Sequence, residues 1–285
     1  MRDAVSPPTA RAIDVMEFVA RCATPPSFSS VVRELDLSQA TAHAILRTLD
    51  DRGWVTRDPH DKTFSLGPAL HTLAAHTRTA RPLVDAARAA ASDLWTELGH
   101  ATSVIERTDE TLVITAFNGA AGPAGVPSDP IPFTPPFGVA FAAWAGPTER
   151  EAWIQRAAGS DKALHRRLDD ALIRTRAKGY DVDWTTPALS QTAQLVSRLE
   201  REGVPSPVGE VIDQLLVECL TNGVLLEDDS RREPRPVATI AAPVFDHAGR
   251  VAMLLSVHPL GALSLDEVEA IGQRLVAATT VLADG

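Results

Sequence analysis

Residues Ser27–Leu66, SFSSVVRELDLSQATAHAILRTLDDRGWVTRDPHDKTFSL, decide the fold of the N-terminal part of this chain. Ser27 precedes a short segment in which Val31, Val32 and Leu35 are apolar, which predicts a capped helix over about Phe28 to Leu35. Asp36-Leu37 makes a tight turn, and Ser38 caps a further helix to about Arg52, stopped by Gly53. Within it Ala42, Ile45, Leu46 and Leu49 fall at i, i+3, i+4 and i+7, one apolar stripe that must pack on other helices. Two short extended segments follow, Trp54–Arg57 and Thr63–Leu66, around the polar tip Asp58-Pro59-His60-Asp61-Lys62. The order is helix, turn, helix, two-stranded wing.

The face opposite the stripe carries Ala40, His43, Ala44, Arg47 and Thr48. It is narrow, weakly charged and free of bulky apolar groups, so it suits a major groove. Ser38, Gln39 and Thr41 stand at the helix start, where side chains and backbone N–H groups meet phosphates or base edges. Arg57 and Lys62 flank the wing tip, beside the expected path of the DNA backbone. The candidate DNA-contacting set is therefore Ser38, Gln39, Ala40, Thr41, His43, Ala44, Arg47, Arg57 and Lys62. The plainer alternative is a three-helix packing module used for protein contacts.

Outward from this stretch, residues 10–22 read as a preceding helix with Ile13, Met16, Val19 and Ala20 on one stripe. Downstream, Pro68 to about Ala80 and Pro82 to Gly99 read as two connector helices. Residues 101–107 and 111–117 alternate as paired strands, and Gly119–Pro136 reads as a Gly- and Pro-rich loop. Helices are expected at about Gly138–Trp144, Thr148–Ala157 and Lys162–Lys178, with Tyr180–Asp183 extended after Gly179. Two further helices are expected at 188–203 and 207–222, and a charged segment at Glu227–Pro236. A hairpin follows (Val237–Phe245 with Val251–His258), then a closing amphipathic helix from about Ser264 to Leu282. The expected class is α+β, with a winged helix-turn-helix over 1–67, a helical connector over 68–98 and an antiparallel-sheet domain over 99–285.

The 285 residues carry a formal net charge of −10, an unusual balance for a DNA binder. Residues 1–80 hold nine Lys/Arg and nine Asp/Glu, so the deficit lies entirely in the remainder. A neutral head still binds DNA if its cations cluster on one face, so charge permits the reading without supporting it. No apolar run reaches the length of a membrane span, and the N-terminus does not read as a signal peptide. With only Cys22 and Cys219, no disulfide framework or Cys-rich metal site is expected, and a cytoplasmic protein is.

Other chemistry finds little support. His71 and His76 lie five apart on a predicted helix and share a face poorly, while His100, His247 and His258 are scattered. No metal or cofactor is expected. Cys219 sits among apolar residues and reads as core. No Gly-x-Ser-x-Gly elbow occurs, and Gly119–Gly125 lacks the lysine of a P-loop and the spacing of a dinucleotide fingerprint. No catalytic constellation stands out, and an enzyme is not expected.

Ala40–Leu49, then Arg52-Gly53-Trp54-Val55 and Phe64-Ser65-Leu66-Gly67, resemble the IclR family of bacterial regulators. Gly99–Val104 looks like that family's entry into its effector domain. Gly179–Asp183 and Ile240–Asp246 look like two later signatures, so the resemblance spans nearly the whole chain in order. It implies a GAF-like effector domain, a homodimer or tetramer, a double-stranded operator, and a small organic effector, commonly a carboxylate. By resemblance, ligand contacts come from Phe137, Gly138, Val139 and Asp183, with Thr239, Ser256 and His258 from the last two strands. Val139 with nearby Phe133, Phe137 and Phe141 points to a more apolar ligand as an alternative. Two departures stand out. Gln39 or Ala40, and Ala44, occupy positions where the family usually carries cations, which weakens phosphate attraction. The stretch 184–236 is longer than usual and forms a family-atypical helical insertion. The function implied is a ligand-sensing, sequence-specific regulator of transcription. The alternatives are a ligand- or partner-binding protein that has lost DNA binding and, less favoured, an enzyme on the second domain.

Overall fold

The computed structural model describes residues 6–79, 81–119, 131–184 and 234–283. The expected helices at 188–203 and 207–222, Cys219, and most of the loop at Gly119–Pro136 lie outside the described residues. The chain divides into two compact units, Met1–Pro82 and Leu83–Gly285.

The first unit contains α1 (Pro7–Arg21), α2 (Phe28–Glu34), α3 (Gln39–Asp51), β1 (Val55–Arg57), β2 (Phe64–Leu66) and α4 (Ala69–Thr79). Ser27 Oγ accepts the Ser30 N–H at 3.2 Å and Ser38 Oγ accepts the Thr41 N–H at 3.2 Å. Both predicted N-caps are therefore satisfied by the side chains that the sequence offers. Ala42, Leu46 and Leu49 are buried, and Leu46 and Leu49 meet Val15, Val19, Val31, Val55 and Phe64 in one small core. Each such side chain removed from water stabilises the unit by about 1.5–3 kcal/mol. The wing is antiparallel, with Val55 opposite Leu66, Thr56 opposite Ser65 and Arg57 opposite Phe64.

The base of the wing is unusually close-packed. A Cβ on Gly67 would stand 2.2 Å from the Gly53 carbonyl oxygen and 2.9 Å from the Trp54 carbonyl carbon, both backbone atoms. Gly67 N–H donates to Trp54 O at 2.8 Å and Ala69 N–H to Gly53 O at 2.9 Å, which clamps the end of the wing to the end of α3. Only glycine allows that approach.

The second unit begins with α5 (Pro82–Leu98), then the hairpin β3 (Ala101–Thr108) and β4 (Thr111–Asn118) and the short β5 (Ile131–Pro132). Three helices follow, α6 (Val139–Trp144), α7 (Pro147–Ala158) and α8 (Lys162–Lys178), and then β6 (Asp181–Asp183). Beyond 185–233, which lie outside the described residues, come β7 (Arg235–Val237), whose first two residues fall within the stretch expected as an insertion, β8 (Thr239–Phe245), β9 (Val251–His258), β10 (Gly261–Leu263) and α9 (Leu265–Ala283). The main sheet is six-stranded, in the order β5-β4-β3-β9-β8-β6, and its pairings are antiparallel.

This sheet separates two cores. On one face Val104, Val182, Ile240, Ala242, Val244, Met253, Leu255 and Val257 pack with Val84, Ala87, Ala91 and Leu94 of α5 and with Val268, Ile271 and Leu275 of α9. α5, read as half of a connector, thus contributes a buried stripe to the second unit. On the other face Ala241 and Leu254 pack with Val139–Ala143 of α6, Trp153 and Ile154 of α7, and Leu168 and Leu172 of α8. The single strand expected over Val237–Phe245 is broken at Ala238, because β7 leaves the main sheet and pairs with β10.

Candidate functional site

Two sites emerge, one in each unit. In the first, α3 exposes Ala40, His43, Ala44, Arg47 and Thr48, the face expected to meet a groove. Its residues are not all free. Ser38 Oγ and Thr41 Oγ1 lie 2.8 Å apart within the helix cap. Thr48 Oγ1 donates to the Ala44 carbonyl at 2.8 Å, and the His43 ring meets Phe28 edge-on with centroids 6.5 Å apart. Gln39 and Ala40 are exposed on the first turn. Lys62 stands exposed on the wing tip at φ 57. The tip itself is set by Asp58, whose Oδ1 accepts the N–H groups of His60 at 2.7 Å and Asp61 at 2.9 Å. Those two hydrogen bonds hold the Asp58 carboxyl below its ordinary pKa.

Between α3 and the wing lies an open cleft of about 540 Å³. Phe28, Leu46 and Phe64 form its apolar side, and Arg47, Asp50, Asp51 and Arg57 its charged side, with His43. Arg47 Nε lies 3.8 Å from Asp51 Oδ2, and the backbone N–H of Arg57 donates to Asp50 Oδ1 at 3.2 Å. Of the two arginines, Arg47 thus has a carboxylate beside its guanidinium, whereas the Arg57 guanidinium lies 6.0 Å from the centroid of the Phe64 ring. Sequence reasoning found both cations and missed both carboxylates, although Asp51 is four residues after Arg47, the spacing at which helical side chains meet.

The second site lies on the α6–α8 face of the main sheet. Pairing sets Asp183 opposite Thr239, Asp181 opposite Ala241, Ala241 opposite Ser256, and Ser256 opposite Ser103. Leu255 and Val257 point into the α5–α9 core, so Ser256 and His258 point the other way. His258 is held at both nitrogens, Nε2 2.8 Å from Ser103 Oγ and Nδ1 3.1 Å from Thr239 Oγ1. Phe117 stands beside it, ring centroids 6.1 Å apart. Burial pushes the His258 pKa down to about 4, so the imidazole is neutral at pH 7. Asp181 is pushed up to about 7, first by burial and then by the charge of Asp183. Ser256 is fully buried, and its Oγ has no hydrogen-bond partner among the described residues.

The structure thus brings four expected ligand residues into one polar strip: Asp183, Thr239, Ser256 and His258. It adds Ser103, Asp181 and Phe117. Phe137, Gly138 and Val139 lie in the helical layer packed on the same face, where Val139 is buried and the Phe137 carbonyl accepts the Trp153 indole N–H at 3.0 Å. Gly138 is explained by packing: its φ is 80, and a Cβ there would stand 2.6 Å from the Phe133 ring. No group of three or more His, Cys, Asp or Glu suited to a metal ion occurs among the described residues. No helix among them is long and apolar enough to cross a membrane.

The fold is that of a two-unit protein, a winged helix-turn-helix followed by an α+β sheet unit. Residues 8–59 match the model of the IclR helix-turn-helix domain. No curated protein sequence matches the chain. Among solved structures it is similar to an IclR transcriptional regulator from Alicyclobacillus acidocaldarius, at 17% identity and TM-score 0.68 over 99% of each chain. It is also similar to an IclR homologue from Microbacterium hydrocarbonoxydans complexed with 4-hydroxybenzoate, at 18% identity and TM-score 0.65, over 97% of this chain and 98% of that one. Pseudomonas aeruginosa HmgR matches at 18% identity and TM-score 0.62, over 96% and 97%. Residues 8–59 thus match the IclR helix-turn-helix domain, and the whole chain carries the fold of the IclR regulators that it is similar to.

Proposed function

We propose that the protein is a cytoplasmic, non-enzymatic regulator that binds a palindromic operator as a homodimer or a dimer of dimers. A small organic effector in the second unit then biases that binding. The observation that carries the DNA-binding part is α3. Its inner stripe is buried, its outer face is exposed, and a wing stands beside it, within the stretch that matches the IclR helix-turn-helix model. The DNA contacts are assigned to Gln39, Ala40, His43, Ala44 and Arg47 on α3, with Ser38 and Thr41 at its cap and Arg57 and Lys62 on the wing. The exposed alanines suit thymine methyl groups. The effector part rests on the polar strip from Asp183 to Ser103, in a fold whose Microbacterium relative is solved with 4-hydroxybenzoate.

A gel-shift titration against the DNA upstream of its own gene tests this reading. Arg47→Ala is expected to weaken binding. Lys62→Asn is expected to weaken it by a similar factor on every sequence and to reduce the log–log salt slope by about one for each head bound. Asparagine is chosen at 62 because it tolerates the left-handed backbone there. Unchanged affinity in both variants overturns the assigned face.

One observation favours a second reading, a regulator that has lost DNA binding. The cleft between α3 and the wing carries Asp50 and Asp51 beside Arg47 and Arg57, and Asp51 lies 3.8 Å from the Arg47 guanidinium.

A further inference from the structure

The outer face of α3 resolves into two ridges. Gln39, His43 and Arg47 recur every four residues on one, Ala40, Ala44 and Thr48 on the other, and all six are exposed. Which of them can read a base depends on which polar groups are still free. The Thr48 hydroxyl is taken up by the Ala44 carbonyl, so its ridge offers methyl groups. At the helix cap the Ser38 and Thr41 hydroxyls are engaged with each other. Arg47 stands in the third turn, with Asp51 beside its guanidinium. Gln39 and His43 make no hydrogen bond to any described residue. The His43 ring is backed edge-on by Phe28, and that segment is tied to the wing, because Ser27 bridges to Thr63 and the Phe64 N–H donates to Pro26 O at 2.9 Å.

In the major groove each base pair presents its own edge. Guanine is matched by Arg or Lys at O6 and N7, and the cytosine N4 amino group by a carboxylate. The first two turns of α3, Gln39–Leu46, contain none of these residues. They contain what the other pair requires. A glutamine amide donates to adenine N7 and accepts from its N6 amino group, and an alanine methyl packs on the thymine C5-methyl. Neighbours on one ridge stand about 6 Å apart along the helix, roughly two base-pair steps. Ala40 and Ala44 can therefore meet methyl groups at two separate steps of one half-site.

We propose that α3 reads A·T pairs in each operator half-site, with Gln39 bidentate on an adenine and the Ala40–Ala44 ridge on thymine methyl groups. The inference rests on the DNA-binding reading above and specifies its partner. His43 adds a hydrogen bond to a purine N7, which adenine and guanine share, so it orients the helix without choosing between them.

The test starts from a duplex pool with a randomised core, from which the full chain selects binding sites over repeated gel-shift rounds. The expected half-sites are built on A·T pairs. Gln39→Ala is expected to lose the preference at one A·T position of each half-site with the salt slope unchanged, since no phosphate contact is removed. Replacing that pair by G·C in one half-site is expected to weaken wild-type binding between about fivefold and about a hundredfold, the worth of one bidentate contact. 7-Deazaadenine, placed at each adenine in turn, is expected to weaken it severalfold at one of them. Deoxyuridine in place of thymine, which removes only the methyl groups, is expected to weaken it severalfold inside the half-site and to leave it unaltered outside. These changes are made in the DNA, so they decide the outcome even if Gln39→Ala does not fold. Half-sites of G·C pairs overturn the proposal. So does an A·T preference indifferent to 7-deazaadenine and deoxyuridine, which then arises from DNA shape. Salt-dependent binding that enriches no sequence overturns the readout and leaves DNA binding standing. No binding to any duplex at low salt overturns the DNA-binding reading, and this inference with it.

Discussion

At the scale of single residues, behaviour is governed by what stands next to each charge. Arg47 and Asp51 form an exposed i, i+4 pair, and such pairs contribute only about 0.3–0.5 kcal/mol to a helix. Removing the carboxylate therefore costs little stability and leaves Arg47 free to meet a phosphate. Asp51→Asn is expected to tighten DNA binding several-fold in the gel-shift assay, and a weaker or unchanged affinity contradicts the role given to this pair. In the second unit two shifted groups act in opposite directions. The folded state holds Asp181 near 7 against an ordinary 3.8, so between those values it binds more protons than the unfolded chain, and stability falls as pH rises. It holds His258 near 4 against 6.5, so there it binds fewer protons, and stability rises with pH. The two trends offset one another between about pH 4 and 6.5. Asp181→Asn removes the falling one, so the variant's stability relative to wild type should grow from pH 4.5 to 7.5 in denaturant melts. A pH-independent difference contradicts the assignment. Of the strip, Asp183, Thr239, Ser256 and His258 were legible through family resemblance. Asp181 and Ser103 were not, although strand alternation marks both once the pairing is known: Asp181 is two residues before Asp183, and Ser103 lies opposite Ser256.

At the scale of elements, helices announce themselves locally and sheets do not. Ser38 and Gly53 bracket α3 and Asp161 and Gly179 bracket α8, and the structure places those helices within a residue or two of the expected bounds. The closing helix starts at a capping box: the Ser264 N–H donates to Glu267 Oε2 at 2.8 Å, and Ser264 Oγ accepts the Glu267 N–H at 3.3 Å. The hairpin β3–β4 was legible from alternation and a polar turn. The sheet order was not, because β3 pairs with β9 about 150 residues away, a contact no local pattern encodes. For the same reason the break at Ala238 was missed, since β7 departs to meet β10 and the apolar run continues through the break. The two-residue β5 lay at the end of a Gly- and Pro-rich stretch and left no periodicity to read. α5 carried the clearest missed signal. Val84, Ala87, Ala91 and Leu94 recur at helical spacing, and that stripe is buried against the sheet. The wing depends on one glycine. Gly67→Ala forces two backbone segments apart, so it should destabilise the first unit by about 1–3 kcal/mol in chemical denaturation and lower DNA affinity with it. Wild-type stability in that variant contradicts the clamp.

At the scale of the whole molecule, the charge distribution sets the behaviour. The first 80 residues are formally neutral and the remaining chain holds all ten net negative charges. A head of this kind gains less from counterion release than a basic one, so the proposed function requires several heads to engage one operator, each through a few contacts. Binding to DNA nevertheless releases cations for every phosphate the protein neutralises, whereas a chain that has lost the function releases none. The direct measurement is the salt dependence of affinity for the upstream duplex. The account predicts a linear fall of log K with log salt concentration, a slope of about −3.6 for a dimer using Arg47 and Lys62 from each head, and about −1.8 in Lys62→Asn. A flat line, or no measurable affinity at low salt, contradicts the claim that this winged helix-turn-helix binds DNA.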